Sequence, residues 1–319
     1  MRAIGGYFEI EDRGVGIFPH SRGVLLNTGR NSLEYILRSI SNVKQIYLPY
    51  YTCEVVLEPI KKLSIPYCFY HINERLEIKE QICLADDEYI IANNYFGIKD
   101  SYINTLQKIY GNRLIVDCAQ AFFAPILFKT KMFYSTRKFV GVPDGGVAYC
   151  DDKINSEIYD IDNSSDRLEH LYVRKEKGAE AGFKIYQSNE CKLDNQDIRR
   201  MSVFTKDCLH NIDYSLIQQK RIENFKYLHS HLKNTNLLDI DNFGDFVCPM
   251  VYPYYTTNET LKQHLVENKI FCATYWPNVF EWCKKDDLEY KLANNIVSIP
   301  IDQRYGIKDM QRIVNVINN

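Results

Sequence analysis

What the sequence lacks narrows it first. No apolar run approaches the roughly 18 residues that a membrane-spanning helix needs, and no CxxC pair occurs. GxGxxG is absent as well: Gly14-Val15-Gly16 stands without the rest, so a dinucleotide-binding fold has little support. There is no charge imbalance, with 39 Lys+Arg against 41 Asp+Glu and a net charge of −2, hence no electrostatic footprint for nucleic acid. No internal repeat or low-complexity linker breaks the chain, and 45% hydrophobic with 25% charged residues excludes a mostly disordered one. The opening MRAIGGYFEIEDRG carries acids where an export signal would have its apolar stretch, so a cytoplasmic location is expected. Ten dispersed cysteines, several within apolar runs (Cys68, Cys150), read as small core hydrophobes in a reducing compartment. The single close histidine pair, His229 and His231, is spaced i, i+2 on an expected helix, where the two rings point to different faces, so no metal site is expected.

What is present is an alternation. GVLLN (23–27), QIYLP (45–49), EYIIANN (88–94), LIVDCAQ (114–120), MFYST (132–136) and GGVAYC (145–150) read as strands. Between the earlier ones lie helical patterns: NSLEYILRSI (31–40), with Leu33, Ile36, Leu37 and Ile40 on one stripe, TCEVVLEPIKK (52–62) and SYINTLQKIY (101–110). Asn31 with Glu34 resembles a capping box, and Thr52 is a candidate N-cap. Strands and helices alternating at this spacing predict right-handed βαβ units and a mainly parallel sheet, hence an α/β fold. Residues 152–200 are polar and poorly periodic; 198–212 and 214–233 read as two long helices. Beyond Asn242-Phe243-Gly244 the pattern changes to strands at 246–255, 270–276 and 295–301, with helices at 260–269 and 307–317. The expected division is a large domain over 1–244 and a small C-terminal α+β domain over 245–319, in line with a length prior of about two domains.

In such sheets ligands gather beyond the carboxyl ends of the strands. Three features there carry chemistry. Asp117 ends the apolar run LIV; it reads either as a loop or helix cap or as a partly buried carboxylate awaiting a ligand cation. Lys138, in FYSTRKFVGVPDGGVAY, follows an apolar strand and precedes Asp144-Gly145-Gly146, a turn with positive-φ freedom and room for close backbone approach. Beside Arg137 a desolvated lysine there is suited to Schiff-base chemistry. Thr28-Gly29-Arg30-Asn31-Ser32 joins a strand to a helix start, where free N–H groups and the helix dipole form a phosphate cradle. A cradle, a carboxylate and a lysine together are what pyridoxal 5'-phosphate requires.

On TGRNSLEYIL, IYLPYYTCEVVLEPI, ANNYFG, IVDCAQAF and YSTRKFVGVPDGGVAY, together with RRMS, KRIENFKYL and IPIDQRYGIKDMQRIV, the sequence resembles the DegT/DnrJ/StrS family of pyridoxal-phosphate-dependent sugar aminotransferases. The specific part is DCAQA with a lysine, Lys138, 21 residues after Asp117, and then Gly-Gly. The resemblance implies an aspartate-aminotransferase-like architecture (PLP fold type I). It implies a homodimer with active sites at the subunit interface, an amino-acid donor (glutamate or glutamine), and a nucleotide-linked keto sugar as acceptor, in surface polysaccharide or glycoconjugate synthesis. It makes Lys138 the residue that binds the cofactor covalently and moves protons. Asp117 would then meet the pyridine nitrogen, Gln120 the ring hydroxyl, and Gly29, Arg30 and Ser135 the phosphate. Where many members place an aromatic on the ring this chain has Cys53, with Tyr51 two residues earlier as a substitute. Asn94 stands where the family has His, and Ser135 lies three residues before the lysine instead of about five. Alternatives are a pyridoxal-phosphate enzyme with a non-sugar substrate, or a degenerate homologue serving as a binding or assembly subunit.

Overall fold

In the computed structural model residues 2–151 and 154–318 are described. The strands are β1 (Ile4–Gly5), β2 (Val24–Leu26), β3 (Gln45–Pro49), β4 (Tyr67–Tyr70), β5 (Glu88–Asn93), β6 (Leu114–Cys118), β7 (Lys131–Ser135), β8 (Gly146–Tyr149), β9 (Val251–Tyr255), β10 (Ile270–Phe271) and β11 (Ile296–Pro300). The helices are α1 (Gly29–Ser39), α2 (Leu57–Lys62), α3 (Asp100–Tyr110), α4 (Glu169–Lys177), α5 (Phe183–Cys191), α6 (Val203–His210), α7 (Tyr214–Leu232), α8 (Leu261–Glu267), α9 (Val279–Trp282), α10 (Leu288–Asn295) and α11 (Ile307–Asn318).

Seven strands form one sheet in the order β2-β8-β7-β6-β5-β3-β4. The pairs β4/β3, β3/β5, β5/β6 and β6/β7 are parallel, and β8 runs antiparallel to both β7 and β2. The central strands read as continuous apolar runs because alternate residues feed opposite layers. Ile90, Ala92, Leu114 and Val116 enter the core cluster on one face, and Ile91, Ile115 and Phe133 join Leu33, Ile36 and Leu37 of α1 on the other. Edge strand β4 has a half-open pattern, which is why Tyr67-Cys68-Phe69-Tyr70 did not stand out as a strand in the sequence.

Helix α1 starts at Gly29, two residues before the expected Asn31. Thr28 is extended (φ −141°, ψ 163°) and its Oγ1 accepts the Asn31 N–H at 3.1 Å, so Thr28 is the N-cap. Thr52 does not cap a helix; its hydroxyl instead accepts a bond from Asn93 Nδ2 at 2.9 Å, and the chain enters α2 through a 3₁₀ turn at Glu54–Val56. The long helix expected over 198–212 shrinks to α6. Its first residues lie extended beside β2, with Asn27 N donating to Arg199 O (2.9 Å) and Met201 N to Leu25 O (3.1 Å).

The C-terminal part holds β9 and β11 as an antiparallel pair. The N-terminal strand β1 pairs in parallel with β10 there, and α7 packs on α11. One apolar cluster runs from Ile4 to Val314 through both parts. Cysteine burial is mixed: Cys118, Cys150, Cys248 and Cys283 are buried, whereas Cys68, Cys83 and Cys191 are exposed, and all ten are free thiols. No helix among the described residues is long and apolar enough to cross a membrane.

Candidate active site

Strand β7 ends at Ser135 and turns at once into a 3₁₀ turn, Thr136–Lys138. The loop that follows is closed on itself. Thr136 N donates to Gly145 O at 3.2 Å, the Thr136 hydroxyl donates to the carbonyls of Asp144 and Gly145 (3.2 and 3.1 Å), and Gly145 N donates to Asn27 O at 2.6 Å. The two glycines are needed for different reasons. Gly145 has φ +121°, and a Cβ there would sit 2.3 Å from Thr136 Oγ1; a Cβ on Gly146 would lie 2.2 Å from Thr28 O. Asp144 anchors the loop to α6, accepting from Ser202 N (2.9 Å), Ser202 Oγ (2.8 Å) and the Thr205 hydroxyl.

The start of α1 adjoins this loop. Gly29 lies where a Cβ would be 3.6 Å from Ser135 Cβ, so the helix N-terminus, Ser135 and Lys138 are gathered at one end of the sheet. Asp117 is the penultimate residue of β6, the strand next to β7, with Oδ1 accepting the Ala119 N–H at 2.8 Å. Burial pushes its pKa up, and the ammonium of Lys138 and the Ala119 amide oppose that rise. Gln120 Oε1 accepts the Phe96 N–H at 2.9 Å, while its Nε2 is buried with no partner among the described residues.

Lys138 and Ser135 line a cavity of about 670 Å³, walled by the end of β7, by Gly5–Phe8, by α4 and α5, and by residues of β9, β10 and β11. Asp117, Gln120 and Gly29 do not line it. Aromatic rings furnish much of the wall: Tyr7 stacks on Tyr186 (4.8 Å, 10°), with Phe183 and His170 at 6.4 and 5.9 Å from Tyr7. His170 bonds Asn189 Nδ2 at 2.9 Å, and burial, reinforced by Arg137, pulls its pKa down to about 4. Arg137 forms an ion pair with Glu190 of α5.

Three candidates fall elsewhere. The Arg30 guanidinium is taken up by Glu58 (2.7 Å) and Asp194 (2.8 Å), so the phosphate role expected of its side chain is corrected: two carboxylates already neutralise it. Tyr51 is 1% exposed and packed edge-on against Trp276 (4.6 Å, 87°), a core residue without a free ring face on the cavity. Cys53 precedes the 3₁₀ turn Glu54–Val56 and packs against the core outside the cavity lining, because the turn before α2 directs it there. Sequence reading missed Tyr7, His170, Arg174 and Tyr186. They come from the N-terminal segment and from 152–200, where no periodicity marks a site.

No family model matches this sequence, and no curated protein matches it. Solved structures do. DesV from S. venezuelae, in complex with a ketimine intermediate, is similar at TM-score 0.62 and 13% identity, covering 92% of this chain and 83% of that one. A DegT DnrJ EryC1 StrS aminotransferase from Brucella abortus gives 0.58 and 14%, covering 92% and 84%. DesI, in the presence of its TDP-sugar product, gives 0.61 and 12%, covering 92% and 79%. The chain has the fold of these aminotransferases, an α/β architecture of the PLP type I kind with a mostly parallel central sheet.

Proposed function

We propose that this chain is a pyridoxal-phosphate-dependent aminotransferase that moves an amino group from glutamate or glutamine to a nucleotide-linked keto sugar. One observation carries the reading: β6 and the loop after β7 bring a buried carboxylate, Asp117, within electrostatic reach of Lys138, beside a helix N-terminus. The residues fit the cofactor. A buried carboxylate needs a cation, which a pyridinium supplies. The unpartnered Nε2 of Gln120 can donate to a ring oxygen, and the N-terminus of α1 with Ser135 is suited to a phosphate. Lys138 would hold the group covalently.

When bound, pyridoxal phosphate supplies an electron sink for the carbon that loses its proton. Asp117, by remaining ionised, would favour the protonated form of that sink. With the group in place, the Lys138 amine would take the proton from the donor Cα in the first half-reaction and would return one to the acceptor carbon that gains nitrogen in the second. The cavity walls hold the substrates and exclude water. The sugar acceptor is supported by the neighbours, DesI having been solved with a TDP-sugar product, and by the sequence resemblance, which also implies a homodimer in the cytoplasm.

The test is the visible absorption of the purified protein with pyridoxal phosphate, beside Lys138→Ala. A band that borohydride removes, present in the wild type, absent in the variant and bleached by glutamate, is the expected result. Absence of the band in the wild type overturns the reading and leaves a family-shaped binding or assembly subunit.

A further inference from the structure

Four cationic side chains line the cavity: Arg137, Lys138, Arg174 and Arg221. Its three lining acids are already engaged. Glu190 pairs with Arg137, Asp302 with Arg304 at 2.7 Å, and Glu180 with Lys269 at 3.5 Å. Lys138 has its role in the proposed chemistry. Arg221 is fully buried, with both terminal nitrogens spent on the carbonyls of Met250 (2.8 Å) and Phe139 (3.3 Å) and only Nε without a partner among the described residues. That leaves Arg174.

Arg174, on α4, is 4% exposed. Nη2 donates to Gly5 O at 2.7 Å and to the Tyr305 hydroxyl at 3.4 Å, while Nε and Nη1 have no hydrogen-bond partner among the described residues. Its one acidic neighbour, Glu9, stands 3.5 Å from Nε without a hydrogen bond and is itself partly open to solvent. The guanidinium lies over the Tyr7 ring, 4.8 Å from its centroid, and this ring is itself part of the cavity wall. A buried cation with idle N–H donors is costly unless an anion completes it. Guanidinium geometry suits the planar carboxylate and the phosphate oxygens alike.

We propose that Arg174, braced on Tyr7, is the anchor for a substrate oxyanion entering this cavity. This deepens the reading above, on which it rests for the cavity being the substrate site. The oxyanion belongs either to the amino donor, as a carboxylate, or to the acceptor, as its diphosphate.

The test is calorimetric binding of 2-oxoglutarate and, separately, UDP to the cofactor-loaded wild type, Arg174→Gln and Arg174→Lys. A loss of at least about tenfold in affinity for one anion in Arg174→Gln, with partial recovery in Arg174→Lys, is expected, since the neutral amide loses the charge-assisted hydrogen bonds. Loss for 2-oxoglutarate assigns the donor carboxylate; loss for UDP assigns the diphosphate. In steady state KM for the affected substrate rises while kcat stays within about twofold. Unchanged affinity for both anions in a folded Arg174→Gln overturns the proposal and makes Arg174 only a tether of the N-terminal segment. Failure of the wild type to bind either anion overturns it as well. Should Arg174→Gln not fold, Arg174→Lys decides, and unchanged affinity for both anions there overturns it. The borohydride-sensitive band, read in the same samples, separates the two failures: anion binding that depends on Arg174 without the band keeps the oxyanion site and removes the aminotransferase reading.

Discussion

Asp117 illustrates a conflict between stability and function within one residue. Burial raises its pKa, so the ionised form is disfavoured by folding at neutral pH, and the ammonium of Lys138 offsets this only in part. An acid whose folded pKa is raised contributes a cost once pH exceeds its unfolded value. Asp117→Asn, which keeps an oxygen for the Ala119 N–H, is therefore expected to melt at a higher temperature than the wild type when both are free of cofactor at pH 7. The same change removes the negative charge proposed to face a ring cation. Cofactor affinity and the rate of glutamate-driven bleaching should both fall, the rate by about a hundredfold, equivalent to roughly 3 kcal/mol. Scanning calorimetry and the visible spectrum read the two effects separately; a cofactor-free variant less stable than the wild type would contradict the argument. Gln120 was legible in the sequence as a neighbour of Asp117. Its idle Nε2 was not, since only the fold shows that Phe96 N occupies the other end of the amide.

At the scale of elements, the loop carrying Lys138 depends on close backbone contact between β8 and the start of α1. Gly146 leaves no room for a side chain, with Thr28 O 2.2 Å and Ser32 Oγ 2.5 Å from the position of a Cβ. Gly146→Ala must push α1 away from the sheet edge, and overpacking of this kind costs about 1–3 kcal/mol. A lower urea midpoint, accompanied by weaker binding of inorganic phosphate if the α1 start is the cradle, is the expected outcome. The Asp-Gly-Gly sequence announced this turn by composition alone. Arg30 shows the opposite case. Its position in the first turn of α1 suited a phosphate, yet Glu58 and Asp194, distant in sequence, arrive beside it and occupy the guanidinium. A local pattern cannot reveal a carboxylate delivered from 164 residues away.

At the scale of the whole molecule, the core contains a histidine that must stay neutral. His20 is 2% exposed between Tyr134, Phe122 and Tyr149. Its Nε2–H donates to Phe122 O at 2.6 Å, which leaves Nδ1 to accept from the Tyr149 hydroxyl at 3.3 Å. Burial lowers its pKa to about 4. The unfolded chain takes up a proton near pH 6.5, which the folded one refuses until about pH 4, so stability is intact above 6.5 and is lost as pH falls through that window. The loss from this residue is on the order of 3 kcal/mol. Urea titrations between pH 7 and 4 should show it, and His20→Gln should flatten the slope; an unchanged slope in that variant would refute the assignment. His170 is depressed in the same direction and adds to the wild-type slope.

Hydrophobic periodicity and turn chemistry determined the strand-and-helix alternation, the acid near the end of β6, and the lysine loop with its two glycines. These depend on neighbours a few residues apart, which the chain states directly. The tertiary structure decided what depends on distant partners. It placed β1 beside β10, so that the first residues wall a cavity made largely by much later ones. It buried Tyr51 against Trp276 and paired the Arg30 guanidinium with Glu58 and Asp194. It also brought Tyr7, His170 and Arg174 into one cavity with Lys138 from segments without periodicity, because burial and charge pairing are properties of the packed whole, not of any stretch of sequence.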